Sequence, residues 1–208
     1  MKKIIIFVFS ILILAGCAHP VKHKLYKRYS SVRPRTIAVL PVGGDVSSYR
    51  VKSFFRSSAI ESLKARGYEV LDTDTTDAVF LKELRKKSER MTTANLAALL
   101  PADAVLYIYI TDFDKDKVLG YASLSFGARF KLISRSGKLL WKGKHKSKET
   151  GLGFDKKALE LGVLDTYEAR IERLVDNVVS TLPGPGVVKA AGAKEKEEEK
   201  KEFFQWLP

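Results

Sequence analysis

The chain has 208 residues, with 37 Lys and Arg against 24 Asp and Glu, a formal net charge of +13, and one cysteine. A single cysteine excludes an internal disulfide and a CxxC redox pair, so stability must come from a packed core. A basic excess of this size ordinarily points to nucleic acid, and the first residues of the chain decide against that reading.

Met1-Lys2-Lys3 supplies a positive start, and Ile4 to Leu14 is apolar apart from Ser10. Such a run has the length of a signal-peptide core and is too short to span a bilayer as a mature helix. Leu14-Ala15-Gly16-Cys17 then looks like a bacterial lipobox. Residues 1–16 are therefore expected to be a lipoprotein signal peptide, and Cys17 the acylated, palmitate-bearing mature N-terminus. Each buried acyl methylene contributes about 0.8 kcal/mol, so several chains hold a protein at a membrane almost permanently. Ala18 stands where an aspartate would resemble an inner-membrane retention signal, which favours the outer membrane, facing the periplasm. Lys2 and Lys3 leave with the signal peptide, so the charge becomes 13 − 2 = +11. Export excludes nucleic acid as a partner and makes anionic headgroups or acidic envelope polymers the natural counterparts.

Residues 17–35 read as a basic tether, with Lys22, Lys24, Lys27, Arg28, Arg33 and Arg35 and little apolar material; Pro34 disfavours helix at its end. An α/β domain is expected over 36–182, long enough for one independent core. Thr36 to Val42 is a continuous apolar run suited to a strand covered on both faces. Gly43-Gly44 forms a turn, and Ser48 caps a helix with Val51, Phe55, Ala59 and Leu63 on one face, ended by Gly67. Tyr68 to Leu71 is a second strand. A helix from Thr75 or Thr76 turns Val79, Phe80 and Leu84 inward, and another runs from Thr92 through Leu96, Leu99 and Leu100 to Pro101. Ala104 to Ile110 is the most β-prone run and is expected to be a central strand.

From Tyr121 the pattern has period two. Ala122, Leu124, Phe126, Ala128, Phe130 and Leu132 point one way, and Ser123, Ser125, Arg129 and Lys131 the other. Arg135-Ser136-Gly137 turns the chain into a return strand through Leu139-Leu140-Trp141, on which Lys142, Lys144, Lys146 and Lys148 share one parity. With Arg129 and Lys131 they make a basic face or edge. A last helix starts at Asp165, with Asp165 and Glu168 as a capping pair and Ile171, Leu174, Val178 and Leu182 in its stripe. Residues 183–208 form a tail of Pro/Gly, then Lys and Glu, ending in Phe203, Phe204, Trp206 and Leu207, a candidate docking peptide for a partner.

Catalytic sets are scarce. His19 and His23 lie on the tether and His145 among lysines, and HExxH, GxSxG, Walker A and GxGxxG are absent. Asp112-x-Asp114-x-Asp116 begins like a calcium loop, but Lys117 takes the glycine position and Ser123 that of the bidentate glutamate. Asp72-Thr73-Asp74-Thr75-Thr76 resembles the DxDxT nucleophile motif of haloacid-dehalogenase-type phosphatases, without the downstream acidic pair that would hold magnesium; strand-to-helix capping explains it better. No enzyme activity, cofactor or metal is expected.

Three phrases recur together in order: Arg33-Pro34-Arg35-Thr36-Ile37-Ala38-Val39-Leu40-Pro41, Ala102-Asp103-Ala104-Val105-Leu106-Tyr107 and Gly137-Lys138-Leu139-Leu140-Trp141. With them the chain resembles an uncharacterised family of Gram-negative outer-membrane lipoproteins and, more distantly, the α/β domain of the curli-secretion lipoprotein and the N-terminal domain of TolB. The resemblance implies an α/β fold: a mixed sheet of about five strands with a C-terminal antiparallel meander, packed against helices in the order β-α-β-α-α-β-β-β-α. It also implies a lipid-anchored, non-enzymatic module that supports a secretion, transport or peptidoglycan complex by binding other envelope proteins or further copies of itself. The alternative is envelope glycan or anionic-lipid binding through a basic sheet face of Arg129, Lys131, Lys142, Lys144 and Lys146.

Overall fold

Val39 and its neighbours set the architecture. Ile37, Ala38, Val39 and Leu40 are all essentially inaccessible to solvent, as a strand must be when layers cover both of its faces. The structure, a computed structural model, describes residues 21–44, 46–85, 93–118, 121–151 and 165–185. Its elements are β1 (Lys22–Leu25), α1 (Arg28–Val32), β2 (Thr36–Val39), β3 (Gly43–Gly44), α2 (Tyr49–Ala65), β4 (Glu69–Val70), α3 (Thr73–Arg85), α4 (Thr93–Leu99), β5 (Ala104–Val118), β6 (Tyr121–Ser134), β7 (Leu139–Gly151) and α5 (Asp165–Val179).

One mixed sheet of seven strands runs β1-β7-β6-β5-β2-β4, with β3 paired to β5. β2 is parallel to β4 and β5, while β5, β6, β7 and β1 follow one another antiparallel. The expected α/β fold with its closing meander is present, with two strands more than the sequence suggests. On one face, Val51, Phe55, Ala59 and Leu63 of α2 and Ile171, Leu174 and Val178 of α5 pack with Ile37, Val39, Leu106, Ile108, Phe130 and Trp141. On the other, Leu96, Ala97 and Leu100 pack with Ala38, Leu40, Val105 and Tyr107. The parallel half therefore has three layers.

Several local expectations change. Lys22–Leu25, assigned to a solvated tether, is an edge strand on β7, and the short helix after it buries Tyr29. Backbone pairing needs no apolar sequence, so the basic composition hid it. Gly43-Gly44 is not a simple turn but a strand that continues past β2 to pair with Tyr109 and Ile110. Leu84, expected inward, is about half exposed, as is Leu99. Ser48 does cap α2, accepting the Val51 N–H at 3.4 Å.

The end of β2, where open parallel sheets commonly hold ligands, is filled from within. β3 pairs with β5 there, and the Arg56 guanidinium donates to the Val39 carbonyl (3.1 and 2.8 Å) and to both Asp77 carboxylate oxygens (2.8 and 2.7 Å). Elsewhere the hydroxyls of Tyr29 and Tyr68 meet each other and the Pro183 carbonyl, fastening the end of the domain to its start. Burial pushes both tyrosines up from their ordinary value, and burial followed by the neighbouring Tyr109 pushes Tyr107 up to about 12.

A raised folded-state tyrosine pKa means the native chain keeps a proton the unfolded chain has lost. Stability from these groups is therefore intact below the unfolded value of 10.0 and is lost as pH climbs toward 12. Melting temperature should be level approaching pH 10 and then fall. Tyr68→Phe should flatten that alkaline slope, and an unchanged slope would remove Tyr68 from the account.

Candidate functional site

The two-residue period of β6 and β7 turns one set of residues to the core under α2 and α5, and the register places the other set in rows with neighbours on β5 and β1; Tyr107, Ser125 and Gly127 in these rows are buried. Tyr107, Lys131, Lys142 and Lys24 form one row, and Tyr109, Arg129, Lys144 and Lys22 the next. Asp112, Gly127 and Lys146 follow, and then Asp114, Ser125 and Lys148. With strands about 4.8 Å apart and alternate residues about 6.7 Å apart, the rows cover roughly 15 by 20 Å. Lys22, Arg129, Lys142, Lys144, Lys146 and Lys148 are exposed, and Lys24 and Lys131 partly so.

Asp112 reaches this face because of a bulge between Ile110 and Asp112. Without it, residue 112 would keep the inward parity of Leu106, Ile108 and Ile110. The extra residue also turns Phe113 to the core side, where its ring lies 5.5 Å from that of Phe126. Asp112 then meets Lys146 and accepts the Ser125 hydroxyl at 3.0 Å. The Lys146 ammonium is the main reason its carboxyl is held below the usual carboxylate range.

Cations otherwise face cations. Lys131 lies directly opposite Lys142, Lys142 opposite Lys24, Arg129 opposite Lys144, and Lys144 opposite Lys22. Like charges in these positions destabilise a sheet, by up to about 1 kcal/mol per pair at the upper end of cross-strand effects. Arg129 relieves part of its burden by stacking 5.2 Å from the Tyr109 ring centre, and Lys24 sits 4.8 Å from that of Tyr26. Edge protection, the usual reason for lysine rows, accounts for Lys22 and Lys24 on β1 and for Lys146 and Lys148, which lie on β7 beyond the Trp141–Lys144 stretch that β1 covers; Arg129, Lys131, Lys142 and Lys144 stand inside the sheet. The sequence pattern identified Arg129, Lys131, Lys142, Lys144 and Lys146, which the fold brings together, but missed Lys22 and Lys24. Their alternation with His23 and Leu25 was the available signal.

The enzyme-like motifs dissolve into local structure. Asp72 caps α3, its carboxylate accepting the Thr75 N–H at 3.0 Å and the Thr75 hydroxyl at 3.2 Å, while the buried Thr76 hydroxyl donates to its carbonyl at 2.9 Å. The Thr75 N–H bond is the chief cause of its lowered pKa. An open cleft of about 220 Å³ beside α2, lined by Tyr49, Arg50, Ser53, Phe54, Ser57 and Glu168, contains one carboxylate. Among the described residues no cluster of His, Cys, Asp and Glu could hold a metal, and no helix is long and apolar enough to cross a membrane. Cys17, Phe203, Phe204, Trp206 and Leu207 lie outside the described residues.

A family model described as putative lipoprotein GNA1162-like matches residues 25–195, well over half of the chain. The chain belongs to this GNA1162-like family. The matched span contains all of β2 to β7 and hence most of the basic face. Among solved structures, lipoprotein GNA1162 from Neisseria meningitidis is similar at 20% identity, covering 66% of this chain and 98% of its own, with a TM-score of 0.50. The hypothetical protein CT253 from Chlamydia trachomatis is similar at 15% identity over 71% of this chain and 94% of its own, also at 0.50. The PelC dodecamer from Paraburkholderia phytofirmans follows at 15% identity, 79% and 96% coverage, and 0.49. At these identities the likeness to GNA1162 and CT253 shows the fold alone. No curated protein matches the chain.

Proposed function

We propose that this GNA1162-like lipoprotein is a non-enzymatic binding module, held by an acylated Cys17 at the periplasmic side of the outer membrane. It supports an envelope complex by holding an anionic partner on the basic face of its sheet. The observation that carries this reading is the register itself. Cations from β1, β6 and β7 stand side by side on one face, with Arg129, Lys131, Lys142 and Lys144 inside the sheet rather than on its edge, at a cost in stability that a bound polyanion removes. The capped Asp72 and the single carboxylate of the cleft support a role without catalysis.

The test uses the mature chain carrying Cys17→Ser, bound to immobilised heparin and eluted with salt. Binding through this face should weaken steeply as salt rises. Changing Arg129, Lys131, Lys142, Lys144 and Lys146 to Gln should move elution to much lower salt. Changing Arg50, Lys52, Lys64, Arg170 and Arg173, on α2 and α5, should move it little. Equal shifts in the two variants would mean that net charge, not this surface, does the binding.

A further inference from the structure

The basic face and the expected anchor are close in the chain, and that proximity identifies the partner. Five Cα-to-Cα steps separate Cys17 from Lys22, a reach of at most about 18 Å even when fully extended. Lys22 begins β1 and occupies the face itself, opposite Lys144. β1 runs antiparallel to β7, from Lys22 against Lys144 to Leu25 against Trp141, so the chain before Lys22 leaves toward the end of β7 that bears Lys146 and Lys148. An acyl chain on Cys17 therefore keeps this end of the face within a few headgroup diameters of the bilayer. At that distance the local concentration of anionic lipid exceeds that of any freely diffusing polyanion.

We infer that the exposed face formed by Lys22, Arg129, Lys142, Lys144, Lys146 and Lys148 docks on the anionic headgroups of the leaflet that receives the Cys17 lipid. Docking orients the domain. The cation rows turn to the membrane, with α3 and α4 beside them on the same side of the sheet, and the opposite layer, α2 and α5, turns to the aqueous side. Headgroup phosphates enter between opposed cations and relieve their repulsion, and Arg129 on Tyr109 keeps one guanidinium fixed against the sheet. By register Asp112, Asp114 and Asp116 of β5 share this side of the sheet at its far end, and Lys146 compensates Asp112. The inference rests on the proposed basic-face function, and its orienting step also on acylation of Cys17.

The direct test leaves the lipid out, so that the face acts alone. The mature chain with Cys17→Ser is mixed with vesicles of phosphatidylcholine, or of phosphatidylcholine with phosphatidylglycerol, and bound protein is separated by flotation. Binding should require phosphatidylglycerol and fade with salt. Each cation at an anionic surface is worth about a five-fold change in partitioning. Changing Lys22, Lys142, Lys144 and Lys148 to Gln should therefore weaken binding on the order of 100-fold or more, while the same change at Arg50, Lys52, Lys64 and Arg173, on α2 and α5, should do far less. Thermal unfolding of the face variant should be cooperative and no lower than that of the parent, since opposed like charges are removed. Equal loss in both variants, or equal binding to both vesicle types, overturns the inference. Retention on heparin through the face without vesicle binding also overturns it, and then leaves the broader function standing with a soluble polyanion as partner. Acyl mass on Cys17 in the native protein tests the anchor separately.

Discussion

Replacing Trp141 by alanine should lower the unfolding free energy by about 3–5 kcal/mol, the range for deleting a fully buried aromatic side chain. Trp141 is completely buried and ties three elements together. It is registered between Leu132 of β6 and Leu25 of β1, and its indole N–H donates to the Thr181 hydroxyl at 3.3 Å, just past α5. The ring also extends along β7 to Gly143. A Cβ at Gly143 would lie 2.8 Å from the indole and 2.7 Å from Val178 of α5, so glycine there is what lets ring and helix pack so closely. Small domains have only about 5–15 kcal/mol of net stability, and this one change removes a large share. Trp141→Phe should cost much less, because the Thr181 hydroxyl also donates to the Val178 carbonyl at 2.8 Å and most of the buried area survives. Urea titration of the two variants checks the order. The functional consequence falls on β1, whose edge pairing brings Lys22 and Lys24 to the basic face.

Gly44→Val should be nearly as damaging, at about 3 kcal/mol, the sum of backbone strain and lost pairing. Gly44 has φ of +124°, and a Cβ there would lie 2.4 Å from the Ile110 carbonyl oxygen and 2.9 Å from its nitrogen. Backbone atoms cannot rotate aside, so β3 must separate from β5. Gly43→Ala is the contrasting change. Its Cβ meets the Tyr107 hydroxyl and the Tyr109 ring edge at 3.2 Å, both on side chains that can yield, and should cost under about 1 kcal/mol. Ile110 is also the last residue before the bulge that sends Asp112 to the basic face. Amide exchange should therefore speed up at Ile110 in Gly44→Val but not in Gly43→Ala. Equal behaviour of the two variants would contradict this account of the glycine pair.

The meander and its cation rows were legible in the sequence because the alternation of side chains along a strand is strict. Phe126, Ala128, Phe130 and Leu132 fix the inward parity, so Arg129 and Lys131 follow outward, and Lys142 to Lys148 match them across the turn. β1 was hidden because KHKL has little to bury, and its pairing comes from the backbone of β7. β3 was hidden because two glycines have no periodicity. Asp112 needed knowledge of a bulge, which shifts parity without any residue that announces it. Leu84 and Leu99 satisfied a helical stripe, but their short helices bury only part of it.

In the proposed account the partner-binding face lies beside the point where the domain is tethered. Amine footprinting of the native lipoprotein in intact envelopes tests this most directly. Lys22, Lys142, Lys144 and Lys146 should react markedly less there than in the purified Cys17→Ser chain, whereas Lys52 and Lys64 on α2 should react alike in both. Equal reactivity of the face lysines in the two settings would contradict a bound basic face.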